Sequence, residues 1–579
     1  MNEQLLEPLR FYENGGAEKH KQNVSEYFDG LLKASGVNEE ENRETVKSYH
    51  QKEDEVQKLD KKIFRYKFLR VLLILVAVIG AGGIFGSFLL FSDSILGGIL
   101  LILGGIGLIV GGILLIVKKI NPMIRNSQTV REKKAAEAAE ILKEAERQMA
   151  PLNALFDDTD TFRLIEKTIP ELKFEPAYSK KQEDFLLQRH DFRDRMEKND
   201  SVTDTLSGTL CGNPFLYYRY RVQTMGTETY TGFLTISWTE TYRDSQGRLR
   251  RRRRTQTLTA SVTKPKPVYH METVLGYGCQ AAPKLTFRRE PTHAEKLNEK
   301  ELERKVRAGE KKLQKKAEKS TEKGGTFQEM ANSEFDVLFG AHDRNHEVEF
   351  RLMYTPLAQK NTVELLTSKT GYGDDFAFDK RERYNEIRSE HAQNFCMNTS
   401  AAHYRSYDVD IARQKFSDFN TTYFKSVFFD FAPLMAVPVY LSEPCASLEP
   451  LSEYPSNYTC YEHEVLANAI GMDAFRPSNS ATDSILKTSF SEKNGETDVV
   501  NVTAYSFSTA KRVDLIPRLG GDGRIHNVPV TWIEYIPVNR TTAMSVKSLG
   551  LSEREFAEKK PASGISERWA YLHGLIAHI

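Results

Sequence analysis

Cysteine is scarce in this chain, and its spacing argues against two common structural uses of the residue. The 579 residues include an odd number of cysteines, with no C-x-x-C pair, namely Cys211, Cys279, Cys396, Cys445 and Cys460. A disulfide framework pairs an even number of cysteines, and structural zinc sites usually bring them in closely spaced pairs. We therefore expect ordinary small side chains in a reducing cytoplasm.

Familiar catalytic motifs are also missing. The sequence contains no G-x-x-x-x-G-K-[ST] phosphate loop, no G-x-S-x-G nucleophile elbow and no convincing dinucleotide-binding loop. Catalysis by these mechanisms is therefore unsupported, and the sequence predicts no cofactor.

An excess of either charge is absent as well. The chain has 80 Lys and Arg residues against 79 Asp and Glu residues, a formal net charge of +1. A polycation that binds nucleic acid by its overall charge would lie far from neutrality. Any electrostatic function must therefore come from a local cluster, and nucleic acid is not the expected partner.

Two long apolar segments stand out from this background. Residues 69–91 and 95–117 contain no charged residue after Arg70, and only Ser92-Asp93-Ser94 separates them. Each is about as long as the ~20 apolar residues that cross a hydrocarbon core. The sequence predicts a transmembrane helical hairpin over residues 68–118, whose first segment directs insertion because no cleaved signal peptide is evident.

Basic residues flank both segments, and they predict the orientation of the chain. They are Lys61, Lys62, Arg65, Lys67 and Arg70 before the first segment, and Lys118, Lys119 and Arg125 after the second. Lys and Arg concentrate on the cytoplasmic side of membrane helices. We expect a cell-membrane protein with two spans and both termini in the cytoplasm.

Glycines in these segments follow a pattern. In the second segment the pairs Gly97–Gly98, Gly104–Gly105 and Gly111–Gly112 recur every seven residues, and Gly82 and Gly86 have matching spacing in the first. Small residues on one helix face permit close packing in lipid. The stripe predicts packing within the hairpin, with self-association as the alternative. A pore is not expected, because neither span carries an ionisable residue.

The remaining chain is long enough for two soluble cores, so the predicted fold class is a membrane helical hairpin plus a cytoplasmic α+β part. We predict these regions: N-terminal cytoplasmic helices (1–67), the hairpin (68–118), a stalk helix (119–156), a small antiparallel β-rich domain (157–290), a charged helical linker (291–325), a larger α+β domain (326–545) and a C-terminal tail helix (546–579).

Helical apolar repeats flank the hairpin on both sides. Val46, Tyr49, Val56, Leu59 and Ile63 approach heptad spacing before it, and residues 131–156 continue that period after it. Because a hairpin would hold these segments side by side, we predict an antiparallel helical stalk, a short coiled coil. The alternative is two separate helices that each pack on the globular part.

An arginine run marks the β-rich domain. It follows a turn at residues 244–247 and comprises Arg248, Arg250, Arg251, Arg252, Arg253 and Arg254. Successive strand residues point to opposite faces, so only alternate arginines share a surface. Three interpretations compete: protection of a sheet edge by charge, attraction to an anionic lipid surface, and contact with nucleic-acid phosphates.

The α+β domain begins with an alternating segment at residues 348–354, which we predict to be a strand, followed by a helix capped by Thr355 with Pro356 at its first position. FRLMYTPLAQKN and the following GYGDDF, within residues 348–378, resemble a segment of uncharacterised membrane-anchored proteins from mycoplasmas and related Gram-positive bacteria. The resemblance covers this segment and the hairpin layout. It implies a bacterial cell membrane and an unknown activity.

Candidate chemistry is limited to two short patterns. Tyr372-Gly373-Asp374-Asp375 has the letters of a polymerase metal-binding turn, but polar residues precede it and no partner Asp motif is evident, so a Gly-Asp turn is expected. His342 and His346 have the i, i+4 spacing of a zinc pair on a helix, but no third ligand is indicated.

These patterns favour a membrane-anchored cytoplasmic scaffold or binding protein over an enzyme. Its expected partners are the lipid bilayer and another protein, with a homo-oligomer as an alternative. The competing hypothesis is a membrane-tethered enzyme of unfamiliar type, dependent on a metal, with His342, His346, Asp374 and Asp375 as its site.

Overall fold

The computed structural model describes residues 3–90, 95–175, 177–190, 192, 199–243, 245–395, 397–442, 458–548, 569–572 and 575–579. The fold mixes α-helices with antiparallel β-sheets and contains two long apolar helices, which confirms the predicted fold class at this coarse level. The chain forms two compact units. A helical unit comprises Lys21–Asp160 and Thr399–Thr421, and a mixed unit comprises Met1–His20, Thr161–Asn398 and Thr422–Ile579.

The α-helices, in chain order, are α1 (Pro8–Phe11), α2 (Ala17–Ser35), α3 (Glu39–Leu90), α4 (Ile95–Leu115), α5 (Asn121–Leu155), α6 (Asp160–Thr168), α7 (Lys180–Arg189), α8 (Glu299–Glu322), α9 (Ser333–Phe339), α10 (Glu347–Met353), α11 (Pro356–Thr367), α12 (Val409–Met435), α13 (Pro438–Ser442), α14 (Cys460–Ile470) and α15 (Met472–Phe475). The β-strands are β1 (Leu172–Glu175), β2 (Asp200–Leu210), β3 (Asn213–Arg243), β4 (Leu249–Gly278), β5 (Thr286–Arg289), β6 (Phe376–Arg381), β7 (Tyr384–Ser389), β8 (Ile485–Asn494), β9 (Thr497–Leu519), β10 (Ile525–Ser548), β11 (Trp569–Leu572) and β12 (Leu575–His578).

In the helical unit, α3 and α5 lie side by side and antiparallel. Lys52 pairs with Glu137 at 2.6 Å, and Arg131 pairs with Asp60 at 3.1 Å, so residue numbers fall on one helix as they rise on the other. Exposed ion pairs of this kind contribute at most about 1 kcal/mol each. Both helices also bury apolar side chains: Val46 and Ile63 of α3, and Ala138, Ala145, Met149 and Leu152 of α5.

The apolar parts of α3 and α4 are long enough to cross a membrane and bury few of their side chains. In the most apolar window of the helical stretch Glu39–Phe85 only 6% is buried, and the corresponding share for Ile102–Leu155 is 11%. The core helix of a soluble protein buries its apolar face against other elements. These helices therefore present apolar surface outward, which is the property that contact with lipid requires. The predicted turn at 92–94 lies outside the described residues.

In the mixed unit, two antiparallel sheets share one helix between their cores. The strand orders are β1-β2-β3-β4-β7-β6-β5 and β11-β12-β10-β9-β8. Tyr461 and Val465 of α14 belong to a core with β2, β3 and β4, whereas Leu466 and Ile470 belong to a core with β8, β9 and β10. Helix α14 thus buries different faces against the two sheets.

Two hairpins extend from these sheets and stack face to face. We name β3–β4 the long hairpin and β9–β10 the short hairpin. Ile236 and Leu258 of the long hairpin pack with Val528 and Val530 of the short one. The approach is close, because a Cβ at Gly232 would overlap the Pro529 backbone. Only glycine fits at that contact.

Several predicted elements differ from the structure. The segment at 348–354 is helix α10 rather than a strand, because His346 caps its N-terminus and the buried residues Phe350 and Met353 lie one helical turn apart. In the predicted β-rich domain at 157–290, the two longest elements are the continuous strands β3 and β4.

The C-terminal region also differs. The described residues of the predicted tail helix at 546–579 form the end of β10 and the strands β11 and β12, because they complete the edge of the five-stranded sheet. The seven-stranded sheet includes β6 and β7, so it extends past the predicted domain limit at residue 290.

Candidate functional site

The arginine run lies at the free end of the long hairpin. The turn of the short hairpin is fixed beside Gln256, whose side chain accepts a 2.7 Å hydrogen bond from the Gly521 amide. Beyond that level no other described part of the chain pairs with the long hairpin, whose residue pairs continue from Thr239–Arg253 to Arg243–Leu249. Five pairs correspond to roughly 15 Å at about 3.4 Å per residue. We name residues 239–254 the arginine end.

Charge at the arginine end is strongly one-sided. It contains seven arginines, Arg243, Arg248, Arg250, Arg251, Arg252, Arg253 and Arg254, against the acidic residues Glu240 and Asp244. Its described residues are all exposed. Arg254 Nε pairs with Glu240 at 2.9 Å, and Arg253 donates to Ser237 Oγ at 3.3 Å. Seven arginines against two acidic residues give this end a large local excess of positive charge.

Strand alternation divides these arginines between two faces. Arg250, Arg252 and Arg254 continue the face that packs on the short hairpin, whereas Arg251 and Arg253 lie on the opposite face. A Lys or Arg that reaches an anionic lipid surface contributes about 1 kcal/mol. Salt screens such attraction beyond about 8 Å at physiological ionic strength. The arginine end can therefore bind an extended anionic surface by several contacts at once.

The glycine stripe is divided between two faces of α4. A Cβ at Gly105 would lie 2.6 Å from the Gly80 carbonyl oxygen, and a Cβ at Gly112 would lie 3.7 Å from the Ala77 Cβ. Of the predicted packing residues, Gly105 and Gly112 thus contact α3. A Cβ at Gly82, Gly104 or Gly111 would have no neighbouring atom within 4 Å.

Gly80 is a packing residue that the sequence analysis missed. Three glycines, Gly80, Gly82 and Gly83, lie close together in the first span, and spacing alone could not show which of them faces α4. The surroundings of Gly86, Gly97 and Gly98 lie outside the described residues.

His342 and His346 do not form a helical zinc pair. His342 lies in a turn, where its Nε2 is 3.0 Å from the Asp336 carbonyl oxygen, and burial lowers its pKa. His346 is the N-cap of α10, and its Nδ1 accepts from the Glu349 amide at 3.2 Å. Among the described residues, no three His, Cys, Asp or Glu side chains are grouped as metal ligands. Each histidine thus has a local structural partner.

Asp374 and Asp375 point to different partners. Asp374 is fully buried, pairs with the buried Arg289 and accepts a 2.6 Å hydrogen bond from the Thr292 hydroxyl. Asp375 accepts from His391 Nδ1 at 2.6 Å. The two carboxylates therefore stabilise separate contacts, as expected of a Gly-Asp turn, and do not present a paired metal site.

A buried cluster around His391 was missed by the sequence analysis. The His391 ring stacks on Tyr372 with centroids 3.8 Å apart, and its Nε2 is 3.4 Å from Asp430 Oδ1. Asp430 also accepts a 2.6 Å hydrogen bond from the Tyr217 hydroxyl. No sequence motif could have revealed these residues, because they come from four separate segments.

The His391 imidazole favours its charged form. Burial lowers its pKa, but Asp430 and Asp375 outweigh burial, so the pKa is raised. Burial raises the pKa of Asp430. Nδ1 donates to Asp375, and Nε2 faces both Asp430 and the Ser426 carbonyl oxygen at 3.2 Å. With acceptors at both nitrogens, the ring has no lone pair available as a general base.

Comparisons with protein-family models, with curated proteins and with solved structures find no match to this chain. The assignment of a function therefore rests on the arrangement of the residues in the structure. In the part of the chain that the structure describes, the arginine end is an accessible cluster of side chains with one dominant charge.

Proposed function

We propose that this chain is a membrane-anchored binding protein of a bacterial cell membrane. Helices α3 and α4 form its membrane hairpin, and the mixed unit presents the arginine end to an anionic partner in the cytoplasm. The observation that carries the anchor is the pair of apolar helices, which expose their side chains and contact each other through Gly80 and Gly105. Contact through glycine backbones is how helices associate in lipid, where no hydrophobic force drives them together.

The cytoplasmic orientation rests on the basic flanks of the two helices. Lys67 and Arg70 precede the exposed apolar part of α3, and Lys118 and Lys119 follow α4. Positive residues on both sides favour a hairpin whose ends remain in the cytoplasm. Pairing of α3 with α5 beyond the apolar part supports this layout, because a stalk is formed where both helices leave the bilayer.

Binding is favoured over catalysis by the partners of the proposed catalytic residues. An enzyme built on His342, His346, Asp374 and Asp375 would need these side chains to share one site. Instead His346 caps α10, Asp374 pairs with Arg289 and Asp375 pairs with His391.

Fractionation and topology together test this function. The full chain should stay with membranes through alkaline carbonate extraction, and reporter fusions at residue 1 and residue 579 should both report cytoplasm. Release by carbonate would refute the anchor. An external reporter at either end would refute the orientation.

A further inference from the structure

We propose that the stacked ends of the two hairpins form a docking surface for an anionic lipid bilayer, with apolar side chains entering the headgroup region and arginines binding lipid phosphates. This names the partner of the arginine end, and it rests on the proposed binding function.

The first observation is an exposed apolar strip on the short hairpin. We define the apolar strip as Val513, Leu515, Leu519 and Ile525, which are 57%, 61%, 69% and 71% exposed. Leu519 is directly opposite Ile525 in the strand register. The other face of this hairpin is already buried against the long hairpin. An antiparallel ribbon with one buried face normally has a polar outer face, so an apolar outer face calls for a partner.

The long hairpin provides the comparison. Its outer face carries paired hydroxyls, with Thr229 and Thr263 3.0 Å apart and Thr235 and Thr257 3.2 Å apart. The exposed large apolar residues on that face, Met225, Phe233 and Leu249, lie far apart along the ladder and form no continuous strip. The two outer faces therefore differ in chemistry although both belong to exposed ribbons. The apolar strip is a property of one side of the stack.

Arginines lie on the same side. The face of the long hairpin that packs on the short hairpin points in the same direction as the outer face of the short hairpin. Arg250 and Arg252 are on the inward face of the long hairpin, beyond the end of the short hairpin, so they point to the side that bears the apolar strip. One side of the stacked end thus combines apolar and cationic groups.

This combination fits a bilayer better than the other candidate partners. Leucine and isoleucine gain nothing from a phosphate backbone, whereas they gain from burial at the boundary between headgroups and acyl chains. A second copy of the chain, docked symmetrically on the strip, would bring the two sets of arginines together. An anionic bilayer supplies both the apolar layer and the opposite charge.

The test uses the full chain in phosphatidylcholine nanodiscs mixed with vesicles of phosphatidylcholine, or of phosphatidylcholine with about one-third phosphatidylserine. Flotation measures the fraction of nanodisc protein that the vesicles capture. The variants are Leu519→Glu with Ile525→Glu, and Arg250→Glu with Arg252→Glu. The control is Phe233→Glu, which puts one glutamate at an exposed apolar position on the opposite side. Thermal unfolding of each variant reports its folding.

We expect only the vesicles with phosphatidylserine to capture the parent protein. The captured fraction should fall at least about tenfold in both double variants, and it should stay within about twofold of the parent for Phe233→Glu. Capture should also fall as salt rises.

Equal capture of the parent and the Leu519/Ile525 variant would overturn the proposal, and so would failure of the parent to bind. A dimer lost only in that variant, without vesicle capture, would assign the strip to a second copy. Oligonucleotide binding lost only in the arginine variant would assign the surface to nucleic acid.

These results remain separable from the anchor. Carbonate extraction tests α3 and α4, whereas vesicle capture tests the hairpin ends, so either result can fail while the other holds.

Discussion

The backbones of Gly80 and Gly105 touch: a Cβ on Gly80 would lie 2.8 Å from the Gly105 carbonyl oxygen, and a Cβ on Gly105 would lie 2.6 Å from that of Gly80. The adjacent Gly104 meets nothing within 4 Å. Two neighbouring glycines of one helix thus have opposite environments, which allows a closely matched test of helix packing.

Gly105→Leu should separate α3 from α4, whereas Gly104→Leu should not. Cysteines at Ala77 and Gly112 report the packing, because their Cβ atoms would be 3.7 Å apart, within the range for a disulfide. Mass spectrometry of the oxidised membrane protein should find the 77–112 crosslink in the parent and with Gly104→Leu. Gly105→Leu should reduce it severalfold. Equal crosslinking in the two leucine variants would show that this contact does not hold the helices together.

Stability should decline as pH rises because of His391. Burial lowers its pKa, but Asp430 and Asp375 outweigh burial, so the pKa in the folded protein lies above the usual histidine value of about 6.5. The stabilisation is fully present below that usual value. It is lost as pH rises through the folded pKa. His391→Gln should remove this dependence and lower the free energy of unfolding by about 3–5 kcal/mol, as expected when one partner of a buried ion pair is removed. Unfolding followed from pH 5 to pH 9 measures both effects.

The matched control for His391 is His50→Gln. His50 lies on the exposed surface of α3, where its ring is 3.3 Å from Glu53. This variant should keep the pH dependence of the parent. A parent whose stability does not change between pH 6 and pH 9 would contradict the assignment of a charged His391.

Replacement of His346 distinguishes a helix cap from a zinc ligand. His346→Ala should cost about 1 kcal/mol of unfolding free energy, because it removes the acceptor for the Glu349 amide. His346→Asn should cost much less, since asparagine is a strong N-cap. Zinc content measured by mass spectrometry should be the same in the parent and in both variants. Stoichiometric zinc that both substitutions abolish would instead make His346 a ligand.

Asp374 should matter for stability. Asp374→Ala leaves the Arg289 guanidinium buried without its carboxylate, so unfolding free energy should fall by about 3–5 kcal/mol. Asp343→Ala, at an exposed position where the carboxylate accepts from the Arg288 amide, should cost about 1 kcal/mol. Chemical unfolding of the detergent-solubilised chain compares the two. Similar losses for both variants would argue against a buried ion pair at Asp374.

Elements with a strong local pattern could be predicted from the sequence. The two apolar helices follow from uninterrupted apolar runs, and helix α11 follows from Thr355 and Pro356, which cap and begin it as expected. Helix α10 could not be predicted, because Val348, Phe350 and Leu352 alternate like a strand. In the helix Phe350 is buried, while Val348 and Leu352 are exposed. Tertiary packing therefore decides between the strand-like and the helical pattern of this segment.

Contacts between distant segments limited the prediction of sites. Asp375, His391 and Asp430 meet only after the sheet and α12 have formed, and no local spacing relates them. The arginine run could be read directly as a charged cluster. The structure was needed to show that this cluster lies beyond the turn of the short hairpin, where the Gly521 amide donates a hydrogen bond to Gln256. No sequence pattern encodes that contact.

The uninterrupted register of the long hairpin also bears on how the chain folds. The pair Arg243–Leu249 closes a short loop, whereas Phe215–Tyr277, at the other end of the same ladder, closes a long one. Closing short loops first costs the least chain entropy, so the ladder should form from its turn toward the sheet. Pulse-labelling hydrogen exchange would contradict this order if amides near Phe215 became protected first. Because the arginines lie where the ladder starts, their mutual repulsion acts on the earliest step, and salt should accelerate folding of the hairpin.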